Sequence, residues 1–389
     1  MAAGGRTRNP AGDAYNTRRH EAPEGISPVD YTANFADFLA SREAGQPFYF
    51  WYGAHEPHRV YKPGIGRAHG KPLAAAEVPP FLPDAPEVRD DLLDYAYEIE
   101  WFDAHLVQML KQLEEAGELA NTIVIVTSDN GMSFPRAKAN AYEYGIHVPL
   151  AVMWPARVPG GRRVDDLVSL VDIAPTLLAA ANVPAPAMTG TSLMPLLLPA
   201  ETGGPEPGRE AVFAARERHS SSRYNSLGYP QRAMRTGDAL YIWNPAPERW
   251  PAGAPQAIGP DGAPGPLHGA YHDIDAAPTL DFLVAHRDEP GVGRYFHLAV
   301  DHRPARELCA VTDDPGCLVN LAGAPAEAAR VGALHARLLA FLQSTGDPRA
   351  LGEGDVFETY RRYSPLRTFP PPQWVLDGQP AFKPDWIVE

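Results

Sequence analysis

Several things are scarce in this chain of 389 residues, and each scarcity narrows what it can be. It has no unbroken run of roughly 18 apolar residues, so no transmembrane helix is expected. Positive charge is short: 34 Lys and Arg stand against 48 Asp and Glu, a formal net charge of −14. That balance argues against nucleic-acid binding, which rests on neutralising phosphates. An anionic substrate stays open, because a basic pocket can sit on an acidic protein. Cysteine is nearly absent. Cys309 and Cys317 lie close in sequence and are compatible with one short disulfide or with two thiols. The first twenty residues hold four Arg and no apolar segment, so they read as a poorly ordered start rather than a secretory leader. No internal repeat is found.

What is present is the balance of a globular protein, 44% apolar and 21% charged. The length suits one large domain and one small. Residues 47–53 (PFYFWYG) read as a buried strand. Over residues 88–117, Leu92, Tyr95, Ile99, Phe102, Leu106, Met109 and Leu113 recur at threes and fours, the pattern of a long amphipathic helix. Residues 122–128 (TIVIVTS) and 148–154 read as buried strands, and 172–181 as a short helix. Alternating strands and helices predict an α/β core with a mainly parallel sheet. Residues 199–208 (PAETGGPEPG) read as a linker. Beyond it, 211–215, 231–236 and 239–243 read as short strands and 326–344 as a helix opened by Pro325. The expected organisation is therefore a poorly ordered segment over 1–29, an α/β domain over 30–198, the linker, and a smaller α+β unit over 209–389.

Three constellations can carry chemistry. Asp129 and Asn130 end the TIVIVTS strand, at the edge of an α/β sheet where function gathers. Their oxygens suit a hard cation such as Ca²⁺; a plain turn in which both satisfy the backbone is the other reading. Lys138, with Arg136 near it, would let metal and amine share the charge of an oxyanion, or it is a solvated basic loop. GAHEPHR, residues 53–59, offers His55 as a hydrogen-bond or proton donor, or else its histidines satisfy loop carbonyls. Finally Arg216, Arg218, His219 and Arg223 form a basic set after a strand, either an anion pocket or an ordinary strand end.

The order of these motifs resembles the sulfatase family of the alkaline-phosphatase superfamily. HEPHR after a strand, a long helix, VIVTSDNG, a basic loop and GIHVPLAVMWP carry the resemblance over residues 30–345. SDNGMSFPRAKANAY and AMRTGDALYIWNPAPERWPAG resemble its heparan N-sulfatase (N-sulfoglucosamine sulfohydrolase) subgroup. The resemblance implies an alkaline-phosphatase-like fold and hydrolysis of sulfate esters or sulfamates, with a sulfated small molecule or glycan as partner. It implies Asp129 and Asn130 as Ca²⁺ ligands, Lys138 and His55 against the sulfate, and Arg218 and His219 facing the substrate. Relatives are often exported; location and oligomeric state stay open. His147 stands where an Arg usually precedes Val-Pro.

The chain also departs from the family. The C/S-x-P-x-R motif that yields formylglycine has no match, Ser364-Pro-Leu-Arg being one residue short. The early Asp-Asp ligand pair and the Gly-Lys-x-His motif are missing too, since Pro72 follows Gly70-Lys71. The expectation is a chain without the family's first strand and nucleophile region, and with an incomplete metal shell. Two alternatives follow: a non-catalytic anion-binding relative, or a phosphoester or phosphonate hydrolase of the same superfamily.

Overall fold

The computed structural model describes residues 14–43, 45–198, 208–223, 226–259 and 263–360. The chain forms two compact units that interleave in sequence. One takes residues 1–77, 85–123 and 154–156; the other takes 78–84, 124–153 and 157–389. Residues 199–207 of the expected linker lie outside the described residues.

The first unit is built on three helices, α1 (Tyr31–Ala40), α2 (Ile65–Ala68) and α3 (Pro86–Glu115). Asp30 caps α1 by accepting from the Ala33 N–H at 2.9 Å. Pro86 opens α3, where its missing N–H costs nothing. Residues 14–29 were expected to be poorly ordered, yet Ile26 is buried with Ile65 and Tyr97, and Arg19 bridges to Val29. Apolar burial outweighs the Pro- and Arg-rich composition there.

The run 47–53 is extended but joins no ladder. Its alternate residues Phe48, Phe50 and Tyr52 pack against Phe35, Met109 and Leu113, while Tyr49 and Trp51 are exposed. The buried-strand reading was half right: one face packs on helices, and among the described residues no strand pairs with the backbone.

Helix α3 buries acids as well as apolar residues. Asp91 accepts two bonds from Arg59, at 2.7 and 2.9 Å. Asp94 accepts from the N–H groups of Gly64 and Gly66. Glu98 is fully buried and neither carboxyl oxygen has a hydrogen-bond partner. Burial, helped by Glu56 and Asp94, pushes its carboxyl up to about 8. The folded state thus holds a proton that the unfolded chain releases near 4.5. The stability tied to that proton is complete below the unfolded value and is lost as pH rises toward the folded one. Thermal melts of Glu98→Gln and the unsubstituted chain should coincide near pH ~4 and separate by pH ~9, the variant melting higher. Equal separation at both pH values would contradict the assignment.

The second unit contains β1 (Val124–Thr127), α4 (Glu143–Ile146), β2 (Leu150–Met153), α5 (Ile173–Ala180), α6 (Met194–Leu197), β3 (Ala211–Arg216), β4 (Gln231–Thr236), β5 (Leu240–Trp243), α7 (Pro278–Ala285), α8 (Gly293–Val300), β6 (Arg306–Cys309), α9 (Ala328–Ser344) and α10 (Val356–Thr359). β3-β4-β5-β6 form an antiparallel sheet with a tight β4–β5 hairpin at Gly237-Asp238. Period-two alternation splits its side chains. Met234, Tyr241 and Leu308 face α9 through Val331, Leu338 and Leu342. Ala233, Leu240, Ile242 and Cys309 face Ala141 and Tyr142.

The expected mainly parallel sheet is not found among the described residues, because β1 and β2 pair antiparallel. A parallel partner needs a crossover connection, whereas residues 128–149 simply turn back from β1 into β2. No described helix is long and apolar enough to cross a membrane.

Candidate active site

The chain turns sharply where β1 ends. Thr127 Oγ1 donates to Pro149 O at 2.8 Å, Ser128 Oγ donates to Asn130 O, and Asn130 Nδ2 donates to Gly131 O. Gly131 cannot be replaced cheaply, since a Cβ there would meet Tyr144 O at 1.9 Å. Its N–H donates to Gly145 O, closing the loop on itself, and the Lys138 N–H donates to Met132 O.

Within this loop Arg136 and Ala139 take left-handed φ values of 68° and 62°. Such conformations in non-glycine residues persist only where surroundings impose them. Here Arg136 is buried, donates to Leu298 O and Cys317 O, and sits 4.0 Å over the Tyr142 ring. Tyr142 in turn donates to Glu307 at 2.6 Å, and the Ala141 N–H donates to Gln231. The loop is therefore bolted to the antiparallel sheet.

The bolt points Lys138 at an acid that sequence reasoning missed. Lys138 Nζ donates to Asp275 Oδ2 at 2.7 Å, both side chains being about nine-tenths buried. Two residues earlier, Asp273 gathers the basic set after β3. It accepts from Arg216 at 2.7 Å, from Arg223 at 2.6 Å and from Ser220 Oγ. These two arginines and His219 hold its carboxyl well below the usual range, against the opposing effect of burial. No periodic pattern marks His272–Asp275 in the sequence; only the alternation of two acids in HDID hinted at it.

Asp129, Asn130, Lys138, Arg218 and His219 all line one cavity of about 1210 Å³ in the second unit. Six Lys and Arg and five Asp and Glu line it, reversing the acidic excess of the whole chain. Most of these cations face carboxylates. Arg218 and Arg162 instead donate to backbone carbonyls: Arg218 to Ser226 and Tyr360, Arg162 to Leu196 and Leu197. Neutral acceptors orient a guanidinium without cancelling its charge, which is what an anion pocket requires. His55 belongs to the other unit. It is exposed, its N–H donates to Tyr31 Oη at 2.9 Å, and its ring lies 5.4 Å from that of His58.

His147 also lines the cavity. Its Nδ1 is 3.0 Å from Glu143, which Arg235 holds through two further bonds at 3.0 and 3.2 Å. The bond to Glu143 raises the imidazole above its ordinary value. An NMR titration should therefore find His147 titrating higher than a free histidine, and Glu143→Gln should bring it down. An unshifted value in both proteins would refute the pairing.

Asp129 and Asn130 are hard oxygen donors, the right type for Ca²⁺, but that ion takes about six to eight oxygens. Among the described residues no group of three or more His, Cys, Asp or Glu is arranged to hold a metal. The donors fit in kind and fall short in number.

Comparison with known proteins bears on the same region. The family description "Sulfatase" matches residues 5–183. Human N-sulphoglucosamine sulphohydrolase is 27% identical over 269 residues, 56% of this chain and 51% of that protein. An ulvan-active sulfatase of Formosa agariphila is 27% identical over 324 residues, 80% of this chain and 48% of that protein. The chain thus spans about half the length of these curated relatives. Among solved structures, one described with glycosaminoglycan metabolism in Bacteroides thetaiotaomicron superposes at a TM-score of 0.56 and 17% identity, covering 83% of this chain and 59% of that one. A 2-O GAG sulfatase superposes at 0.52 and 13% identity, covering 86% and 68%. These two likenesses show the fold.

Proposed function

We propose that the cavity receives a sulfate ester or sulfamate borne by a sugar, a reading supported by the match of the family description "Sulfatase" to residues 5–183 and by the fold shared with a solved 2-O GAG sulfatase. The observation that carries this reading is that Lys138, Arg218 and His219 line the same cavity as Asp129 and Asn130. Lys138, aimed by Asp275, meets a sulfate oxygen as a point charge. Arg218, held by the carbonyls of Ser226 and Tyr360, adds a guanidinium, and His219 supplies a further donor. Asp129 and Asn130 would give two oxygens to a Ca²⁺ ion, which in this family neutralises sulfate charge. The volume is ample for a monosaccharide.

No step of bond cleavage is assigned to these residues. C/S-x-P-x-R does not occur in the 389 residues, so the chain offers no precursor of a formylglycine nucleophile. A second reading is that the cavity binds a sulfated sugar without turning it over. Titrating glucosamine sulfate by calorimetry, alongside turnover of an aryl sulfate and an aryl phosphate, tests both. Binding with aryl-sulfate turnover supports the hydrolase; binding without turnover supports the second reading. Preference for the aryl phosphate, or no binding at all, rejects the sulfate site.

A further inference from the structure

The two cysteines were placed in sequence with their state undecided, and the fold brings them together. Cys309 ends β6, fixed by its register against Leu240. Cys317 lies beyond two stacked turns: Asp313 and Asp314 N–H groups donate to Ala310 O, and the Cys317 N–H donates to Asp314 O. Arg136 clamps the Cys317 carbonyl, and the residue takes a left-handed φ of 52°. Both side chains are buried, at 1% and 3% exposure, in the same apolar cluster under Ala141 and Tyr142. Both are free thiols here. The neighbouring Cys317 thiol together with burial raises the Cys309 thiol above an ordinary thiol.

We infer that Cys309 and Cys317 are a cross-linking site, closing to an intramolecular disulfide when the chain folds in an oxidising environment. Backbone anchors on both sides, the β6 register and the turn closed on Ala310 and Asp314, hold the two residues in one buried cluster, and a disulfide needs such close placement. Once the core is shut the buried thiols are poor nucleophiles, so the bond belongs to folding rather than to later exposure. The step is a thiol–disulfide exchange with a small disulfide such as oxidised glutathione. One S–S bond forms between the cysteines, one breaks in glutathione, and the two thiol protons pass to two reduced glutathione molecules. The product fastens the turn after β6 beneath Tyr142, the residue on which Arg136 and the Lys138 loop rest.

The test uses the full chain refolded in a glutathione redox buffer. After acid quench, the protein is unfolded, treated with iodoacetamide and weighed. The expected result is no added alkyl group and one peptide pair joining the segments of Cys309 and Cys317. Two alkyl groups, or glutathione attached to either cysteine, would overturn the inference. In the same preparation dithiothreitol should lower the melting temperature by several degrees, as constraint on the unfolded chain is released. An unchanged melting temperature with both thiols already alkylatable gives the opposite answer.

Discussion

Asp273→Ala should destabilise the second unit by about 3–5 kcal/mol, the usual cost of stripping one partner from a buried ion pair. The carboxylate is 1% exposed and serves two guanidiniums that are themselves 7% and 5% exposed. Removing it leaves two like charges facing each other out of water. Arg216 is already strained for partners: its Nε and Nη1 are buried without hydrogen bonds, and burial lowers it to about 10. Among the described residues its guanidinium bonds to Asp273 and Pro251 O and lies over the Tyr229 ring.

The sign with pH is opposite to that of Glu98. Asp273 is depressed in the fold, so its contribution is complete above the unfolded value of 3.8 and is lost only as pH falls below it. Chemical denaturation at neutral pH checks the prediction. A loss below ~1 kcal/mol would mean the arginines find other acceptors, and the account of the strand end would fail.

Lys138→Ala should weaken binding of glucosamine sulfate by about 10- to 100-fold, the worth of one hydrogen bond to a charged group. A confounding effect has to be separated. The substitution also removes a charged partner of Asp275, which is 8% exposed at its side chain. Pairing Lys138→Met with Asp275→Asn removes both charges, so the double variant should recover stability without recovering affinity. If the double variant binds as well as the unsubstituted chain, Lys138 is a structural residue and not a sulfate contact.

Much of this was readable from sequence because it follows from periodicity. α3, β1, β2 and the β4–β5 hairpin arise from apolar spacing and turn residues that act locally. The loop with Asp129, Asn130 and Lys138 was legible because it follows a β-branched strand and a glycine. Other features were not, since they depend on distant partners. The direction of β1 and β2 is set by the path of the loop between them, which no residue type encodes. Residues 14–29 fold because Ile26 finds Ile65 and Tyr97 across long separations. Asp273 and Asp275 show in sequence only as two alternating acids; their roles exist only once β3 and the Lys138 loop are beside them. β6 (RELC) is short and charged, and it becomes a strand because Tyr241 and Leu240 offer it an edge.

The most direct measurement is a crystal structure of the chain with glucosamine sulfate bound. The account predicts the sulfate oxygens within hydrogen-bonding distance of Lys138 Nζ, with Arg218 and His219 lining the sugar's side. A sulfate seated elsewhere, with Lys138 still held by Asp275, would contradict it.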